Sequence, residues 1–167
     1  MTHQPTTELQ SRFSSPGVEP TPWTIAEQTL TTAEIYWLST VRPDGSPHVT
    51  PLIGIWTEGR FHFCTGADER KGRNLAANPK CVVTTGSNGI GEGLDLVVEG
   101  KAVRLRDEAR LQRLADAYAA KYEGWHFDVD NEAFQGEGGV AIVFEVNPVK
   151  VFSFSKGDTF AQTRYRF

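Results

Sequence analysis

The chain has 167 residues, a formal net charge of −4, and 39% hydrophobic and 23% charged residues, which predicts one domain with an adequate hydrophobic core. The acidic balance gives no electrostatic reason to expect nucleic-acid binding, and no apolar run approaches the length of a membrane span. The N-terminus lacks the basic start and apolar centre of a secretory signal, so we expect a cytoplasmic protein with no membrane or nucleic-acid partner.

The N-terminal segment, residues 1–20, is rich in Thr, Ser, Pro and Gln and has few apolar anchors. Such a segment buries too little surface to offset its ordering entropy, so we expect a flexible arm. The domain itself is placed at residues 21–167. Its first predicted element is a helix over Trp23–Leu30, with Thr21 as the N-cap residue. The inward face of this helix would carry Trp23, Ala26 and Leu30.

Residues 35–78 are predicted to form three strands and a short basic helix. Asp44-Gly45 and Glu58-Gly59 mark the two turns between the strands, because glycine after a short polar residue supplies the positive φ that tight hairpins need. Alternation along the middle strand places on the core face Val49, Pro51, Ile53 and Ile55. The opposite face, which has room for a ligand, carries His48, Thr50, Leu52, Gly54 and Trp56.

The basic helix is predicted over Arg70–Leu75, begun by Asp68 and ended before Pro79. Its cations are Arg70, Lys71 and Arg73. Cations beside the unpaired N–H groups of a helix start predict an anion site. The alternative is a solvated surface helix beside a groove that side chains fill.

The next predicted strand is Cys81–Thr85, followed by a glycine-rich segment, residues 86–93. This segment lacks the Gly-Lys-Ser/Thr of a P-loop, so we interpret it as a hairpin connection. A long strand is predicted over Asp95–Arg106, and Gly100 at its middle indicates a bulge or bend that lets the sheet curl.

An amphipathic helix is predicted over Glu108–Glu123, capped by Asp107. Its apolar stripe contains Leu111, Leu114, Ala115, Tyr118 and Tyr122. We interpret residues 128–139 as a long surface loop. Two last strands are predicted over Val140–Val146 and Val149–Phe154, with a break at Asn147-Pro148.

These elements give about six to seven strands without helical crossovers, which predicts a mainly β fold with minor α content. An antiparallel barrel with flanking helices fits this order best. The two cysteines and four histidines follow no metal-ligand spacing, so we expect no metal site.

Five segments together carry a family resemblance: LSTVRPDGSPHVTPL, FHFCTG, RKGRNLAANPKCVV, DLVVEGKAVRL and the tail FSKGDTFAQTRYRF. They resemble the pyridoxamine 5′-phosphate oxidase-like split β-barrel family, and within it the F420/flavin-dependent oxidoreductases. The resemblance implies a split antiparallel β-barrel. It also implies a homodimer with cofactor sites at the subunit interface.

The resemblance further implies which residues bind the cofactor. The strand beside the tricyclic ring would be formed by His48, Val49, Thr50, Pro51 and Leu52. The phosphate would be held by Cys64, Thr65, Gly66, Arg70, Lys71 and Asn74. Arg164 in the tail would border the ring, from the same or the other subunit. The motifs do not identify a catalytic residue, and the candidates are His48 and Tyr165.

The function that the resemblance implies is an F420-dependent oxidoreductase, which transfers a hydride between the reduced deazaflavin and a small organic acceptor. Two alternatives remain open. One is an FMN-binding oxidase or reductase of the pyridoxamine 5′-phosphate oxidase type, and the other is a non-catalytic haem- or tetrapyrrole-binding protein.

Overall fold

The computed structural model describes residues 4–167, which form eleven strands and three α-helices. The strands are β1 (Thr6–Leu9), β2 (Tyr36–Val41), β3 (Pro47–Leu52), β4 (Ile55–Thr57), β5 (Arg60–Thr65), β6 (Lys80–Thr85), β7 (Gly93–Leu105), β8 (Asp128–Asp130), β9 (Ala133–Gly136), β10 (Gly139–Lys156) and β11 (Ala161–Arg166). The helices are α1 (Trp23–Thr32), α2 (Arg70–Ala77) and α3 (Glu108–Lys121). Within residues 4–167, no helix has both the length and the apolar composition needed to cross a membrane.

The strands form one antiparallel sheet in the order β1-β11-β10-β7-β6-β2-β3, and β5 joins it by pairing with β10. The long strand β10 pairs with β5 over residues 142–146 and with β11 over residues 150–155. Its two halves therefore belong to two differently directed parts of the sheet, which is the arrangement of a split barrel. The predicted class, mainly β with flanking helices, is confirmed.

A β-bulge in β10 makes this division possible. The pairing with β7 shifts register between Pro148 and Lys150, opposite Gly100. A Cβ on Gly100 would lie 2.5 Å from the carbonyl oxygen of Asn147, so only glycine allows the two backbones to approach this closely. The predicted irregularity at Gly100 is confirmed, although the extra residue, Val149, belongs to the partner strand. The predicted break at Asn147-Pro148 is wrong, because a bulge accommodates a proline within one continuous strand.

Helix α1 closes one end of the barrel. Its buried residues are Trp23, Ala26 and Leu30, as predicted. The ring of Trp23 contacts those of Trp56 and Tyr165 edge to face. Thr21 is not the N-cap, because its backbone N–H donates to Thr163 Oγ1 (2.9 Å) and Pro22 holds the cap position. Trp56, a predicted ligand-face residue, is buried in this cluster instead.

The prediction for the faces of β3 is wrong. Val49 is 54% exposed and Pro51 is also exposed, whereas His48, Thr50 and Leu52 are half-buried. The reason is the register with β2, whose buried residues stand opposite the half-buried residues of β3 and share their face. These partners in β2 are Tyr36, Leu38 and Thr40.

Two segments predicted to lack regular structure contain strands. Residues 6–9 of the expected arm form β1, which pairs with β11, and residues 1–3 lie outside the described residues. The tail, to which the sequence analysis assigned no element, forms β11. The expected loop 128–139 contains the hairpin β8–β9, which buries Ala133 and Phe134. Phe134 stacks on Phe127 with ring centroids 4.7 Å apart, and this contact holds the hairpin against α3 through Tyr118.

Helix α3 is joined to the sheet by a buried ionic cluster. Asp107 caps the helix by accepting from the backbone N–H of Arg110 (2.8 Å), as predicted. The Arg110 guanidinium pairs with Glu145 on β10, which also lies 3.3 Å from His62 Nε2 and 3.4 Å from Arg60 Nη1. The hydrogen bond to His62, followed by that to Arg110, lowers the pKa of Glu145 to about 2.

We therefore expect the free energy of unfolding to depend on pH through Glu145. The carboxyl has a pKa near 4.5 in the unfolded chain and about 2 in the fold, so its contribution is complete above pH 4.5 and is lost as the pH falls toward 2. The loss is on the order of 3 kcal/mol. Urea unfolding of the wild type and of Glu145→Gln from pH 7 to pH 2 measures it. The variant should be less stable at pH 7 and less pH-dependent, and equal slopes would contradict this assignment.

Candidate functional site

The predicted anion site lies where β5 ends and α2 begins. The chain leaves β5 after Thr65, turns through Gly66 and enters α2 at Arg70. Helix α2 lies directly against this turn, since a Cβ on Gly72 would be 2.8 Å from the carbonyl oxygen of Gly66. Glycine in the first turn of the helix thus brings the helix start onto the strand end. The predicted helix is confirmed, and it extends to Ala77.

A carboxylate already lies at this helix start. Glu69, and not Asp68 as predicted, holds the N-cap position. Its Oε1 accepts from the backbone N–H of Gly66 (2.9 Å), and its Oε2 pairs with the ammonium group of Lys71. The hydrogen bond from Lys71 is the main cause of the lowered pKa of Glu69. The groups that would hold an external anion are therefore partly satisfied by an internal one.

The positive charges of three basic side chains act on His48. The pKa of His48 is lowered by partial burial and then by the positive charges of Arg42, Arg70 and Lys71. These residues come from the β2–β3 turn, from β3 and from α2, so the fold brings three segments together at one electropositive corner. Lys71 is not a solvated surface residue, because its side chain is only 13% exposed. Arg70, in contrast, is exposed.

A short hydrogen-bonded chain connects α2 with β3. Asn74 is fully buried, and its Nδ2 donates to Thr40 Oγ1 (2.9 Å), which lies 3.4 Å from His48 Nδ1. The Asn74 Oδ1 atom is buried and has no partner within the described residues. A threonine hydroxyl can donate as well as accept, so the rotated amide would hold Thr40 through Oδ1 and present its N–H₂ at this position. Asn74 thus has a spare polar group for a ligand.

Strand β3 offers backbone atoms to a ligand. It is the last strand in the sheet order, so one of its edges has no partner strand within residues 4–167. The predicted ring-contacting segment therefore lies at a free edge, with Thr50 and Leu52 half-buried beside it. Val49 and Pro51 face outward on an exposed apolar surface that also includes Trp37.

A cavity of about 600 Å³ lies at the C-terminal end of β5. Its walls include Thr65, Gly66 and Glu69 on one side and Trp125 and Phe127 on the other. Cys64 lines it as well, and burial raises the pKa of its thiol to about 11, so it is not a nucleophile near neutral pH. The aromatic wall was missed by sequence reasoning, because the loop after α3 carries no motif.

Two predicted site residues in the tail lie elsewhere. Tyr165 is fully buried, and its Oη contacts the Thr21 carbonyl (2.7 Å) and Ser153 Oγ (2.9 Å). Burial raises the pKa of this phenol, and its position in the core does not suit a proton donor. Arg164 pairs with Glu8 (2.5 Å) on β1. Since β11 is five positions from β3 in the sheet order, neither residue joins the anion site of its own chain.

Comparison with known proteins gives one family. The sequence model of the pyridoxamine 5′-phosphate oxidase family matches residues 25–154. A search of curated proteins finds no match.

Solved structures with the same fold include an FAD-binding protein from Mesorhizobium loti, with 14% identity, a TM-score of 0.60, and coverage of 98% of this chain and 99% of that one. An FAD-binding protein from Mycobacterium smegmatis has 18% identity, a TM-score of 0.55 and coverage of 86% and 95%. A heme-binding protein from the same organism has 20% identity, a TM-score of 0.62 and coverage of 87% and 58%.

We expect Glu69→Gln to strengthen anion binding at α2 by roughly tenfold, because it removes the competing charge from Lys71 but keeps an acceptor for the Gly66 N–H. Titration with phenyl phosphate, followed at the Gly66 amide by NMR, measures this change. As a control, Asp68→Asn removes a different negative charge, one residue earlier, and should increase the anion affinity less. Equal affinities in the wild type and Glu69→Gln would show that Glu69 does not compete with the anion.

Proposed function

The chain belongs to the pyridoxamine 5′-phosphate oxidase family, and on this basis we propose that it binds a phosphorylated flavin-type cofactor and acts as an oxidoreductase. The observation that carries the proposal is the electropositive corner at α2. There the Gly66 N–H and Lys71 both contact Glu69, and the charges of Arg70 and Lys71 lower the pKa of His48 on the edge strand β3. A strand edge next to an anion site matches the two parts of a flavin, its ring and its phosphate.

The residues present fit such a group. In the proposal, Arg70 and Lys71 bind the phosphate by charge, and the Gly66 N–H and the spare amide of Asn74 add directional hydrogen bonds. The β3 backbone near Thr50 holds the polar edge of the ring. When bound, the cofactor supplies the hydride chemistry, and the protein orients it and excludes water.

F420 is the cofactor we propose first, with transfer of a hydride to a small organic acceptor. The motif RKGRNL resembles the corresponding motif of the F420 subgroup. The F420 cofactor carries an anionic tail, which needs cations beyond those that bind the phosphate. The exposed side chains of Arg73 and Lys80 are available for it. Arg60 is not available for it, because its guanidinium pairs with Glu145. The terminal TRYRF motif gives less support, because Tyr165 is buried and Arg164 is paired.

FMN is the second candidate cofactor. Two solved proteins of the same fold are named as FAD-binding, and the α2 site suits the phosphate of either cofactor. A haem- or tetrapyrrole-binding protein is a third possibility, to which the heme-binding neighbour points. For either redox cofactor, the cavity beside Thr65 provides room for an acceptor. His48, whose pKa the charges of Arg70 and Lys71 lower, remains the catalytic candidate.

We also propose a homodimer. The outward face of the sheet exposes Trp37 (49%), Val49, Pro47 and Pro51 on neighbouring strands. An apolar patch of this kind at the β3 edge suits a second copy, which would cover the ring from its other side.

Lys71→Ala should weaken cofactor binding by about 1.5 to 3 kcal/mol, since it removes a charge-assisted contact to the phosphate. Quenching of FMN and F420 fluorescence measures the two affinities separately. Lys156→Ala is the matched control, because Lys156 is equally shielded (14% exposed) and also paired with a carboxylate, Asp95, but lies away from α2. Unchanged affinity in Lys71→Ala would contradict the phosphate assignment, and binding of haem alone would favour the third function.

Trp37→Asp should shift the protein from dimer to monomer, because it places a charge in the apolar face. Light scattering after gel filtration gives the mass of each species. Ile90→Asp, in an exposed loop, is the control and should leave the mass unchanged. A monomeric wild type, or a dimer that survives Trp37→Asp, would exclude this interface.

A further inference from the structure

A further cavity, smaller than the one beside Thr65, lies between the β4–β5 turn and α3, apart from the α2 site. Its volume is about 100 Å³, and its polar lining consists of Thr57, Glu58, His62, Arg110 and Arg113. Cofactors and organic ligands need cavities of roughly 300 to 1,000 Å³, whereas this volume corresponds to about three water molecules. A ligand here must therefore be much smaller than a cofactor.

The buried imidazole of His62 has one unused ring nitrogen. His62 is 1% exposed, and its Nε2 faces the Glu145 carboxylate at 3.3 Å. Its Nδ1 is buried and has no partner within the described residues. Buried polar atoms in proteins nearly always have a hydrogen-bond partner. Because His62 lines this cavity, the cavity has room for such a partner.

The charges around the cavity favour an anion. The charged side chains that line the cavity are the guanidinium groups of Arg110 and Arg113 and the carboxylate of Glu58. Arg113 makes no ion pair or side-chain hydrogen bond within residues 4–167. Arg110 pairs with Glu145 through Nη2, which leaves other donors of its guanidinium for a ligand. A metal cation would meet these same positive charges and would be repelled.

We propose that this cavity binds a small inorganic oxyanion of the size of sulfate. The anion would accept from the guanidinium groups of Arg110 and Arg113 and would lie beside the ring of His62. This inference does not depend on the cofactor.

The experiment is a titration with sulfate, followed at the ring resonances of His62 by NMR. The wild type should show a saturable shift, and Arg113→Gln should weaken the affinity by about tenfold through loss of one charge-assisted donor. Arg113 is exposed, so its replacement leaves the core intact. Arg106→Gln, which removes an exposed arginine paired with Glu132, is the matched control and should change nothing. Glu58→Gln should strengthen binding several-fold.

A Lys71→Ala variant separates this site from the α2 site. Sulfate must still shift His62 in this variant with the wild-type affinity. Three results would overturn the proposal: no saturable shift at His62, the same affinity in Arg113→Gln and the wild type, or loss of the His62 response in Lys71→Ala.

Discussion

The close approach of two backbones at Gly100 is the constraint on which the architecture depends. A side chain there would collide with the carbonyl of Asn147, and without that approach β10 could not bulge at Val149 and divide its length between two parts of the sheet. One half of β10 holds β5, and the other half holds β11. Since α2 follows β5 directly, the glycine at position 100 indirectly fixes where the helix start lies relative to β3.

A second close approach completes the site. Gly72 lets α2 rest on the turn at Gly66, and the buried Asn74 then reaches Thr40 on β2. Thr40 stands opposite His48 in the β2–β3 register, so the same contact links the helix to the strand proposed to hold the ring. The anion corner is therefore built from tertiary contacts between three elements, each of which is unremarkable alone.

Features that depend on local sequence patterns could be predicted from the sequence. Features that depend on residues far away in the chain could not. The apolar stripe and the Asp107 cap define α3. Gly100 indicates the bulge between β7 and β10. The faces of β3 were assigned wrongly, because alternation shows which residues share a face but not which face turns inward. The partners of Arg164 and His62 lie 156 and 83 residues away, at Glu8 and Glu145, and no local motif encodes such pairs.

The internal ion pair at α2 explains how the site can exist in the free protein and still select its ligand. A largely buried ammonium group is costly without a counterion, and Glu69 supplies one to Lys71. An incoming carboxylate would gain little, because it only replaces an equivalent group. A phosphate carries more charge and more acceptor oxygens, so it can engage the exposed Arg70 as well as Lys71 and the Gly66 N–H. At the proposed anion site, this competition within the chain would therefore favour phosphorylated ligands over simple carboxylates.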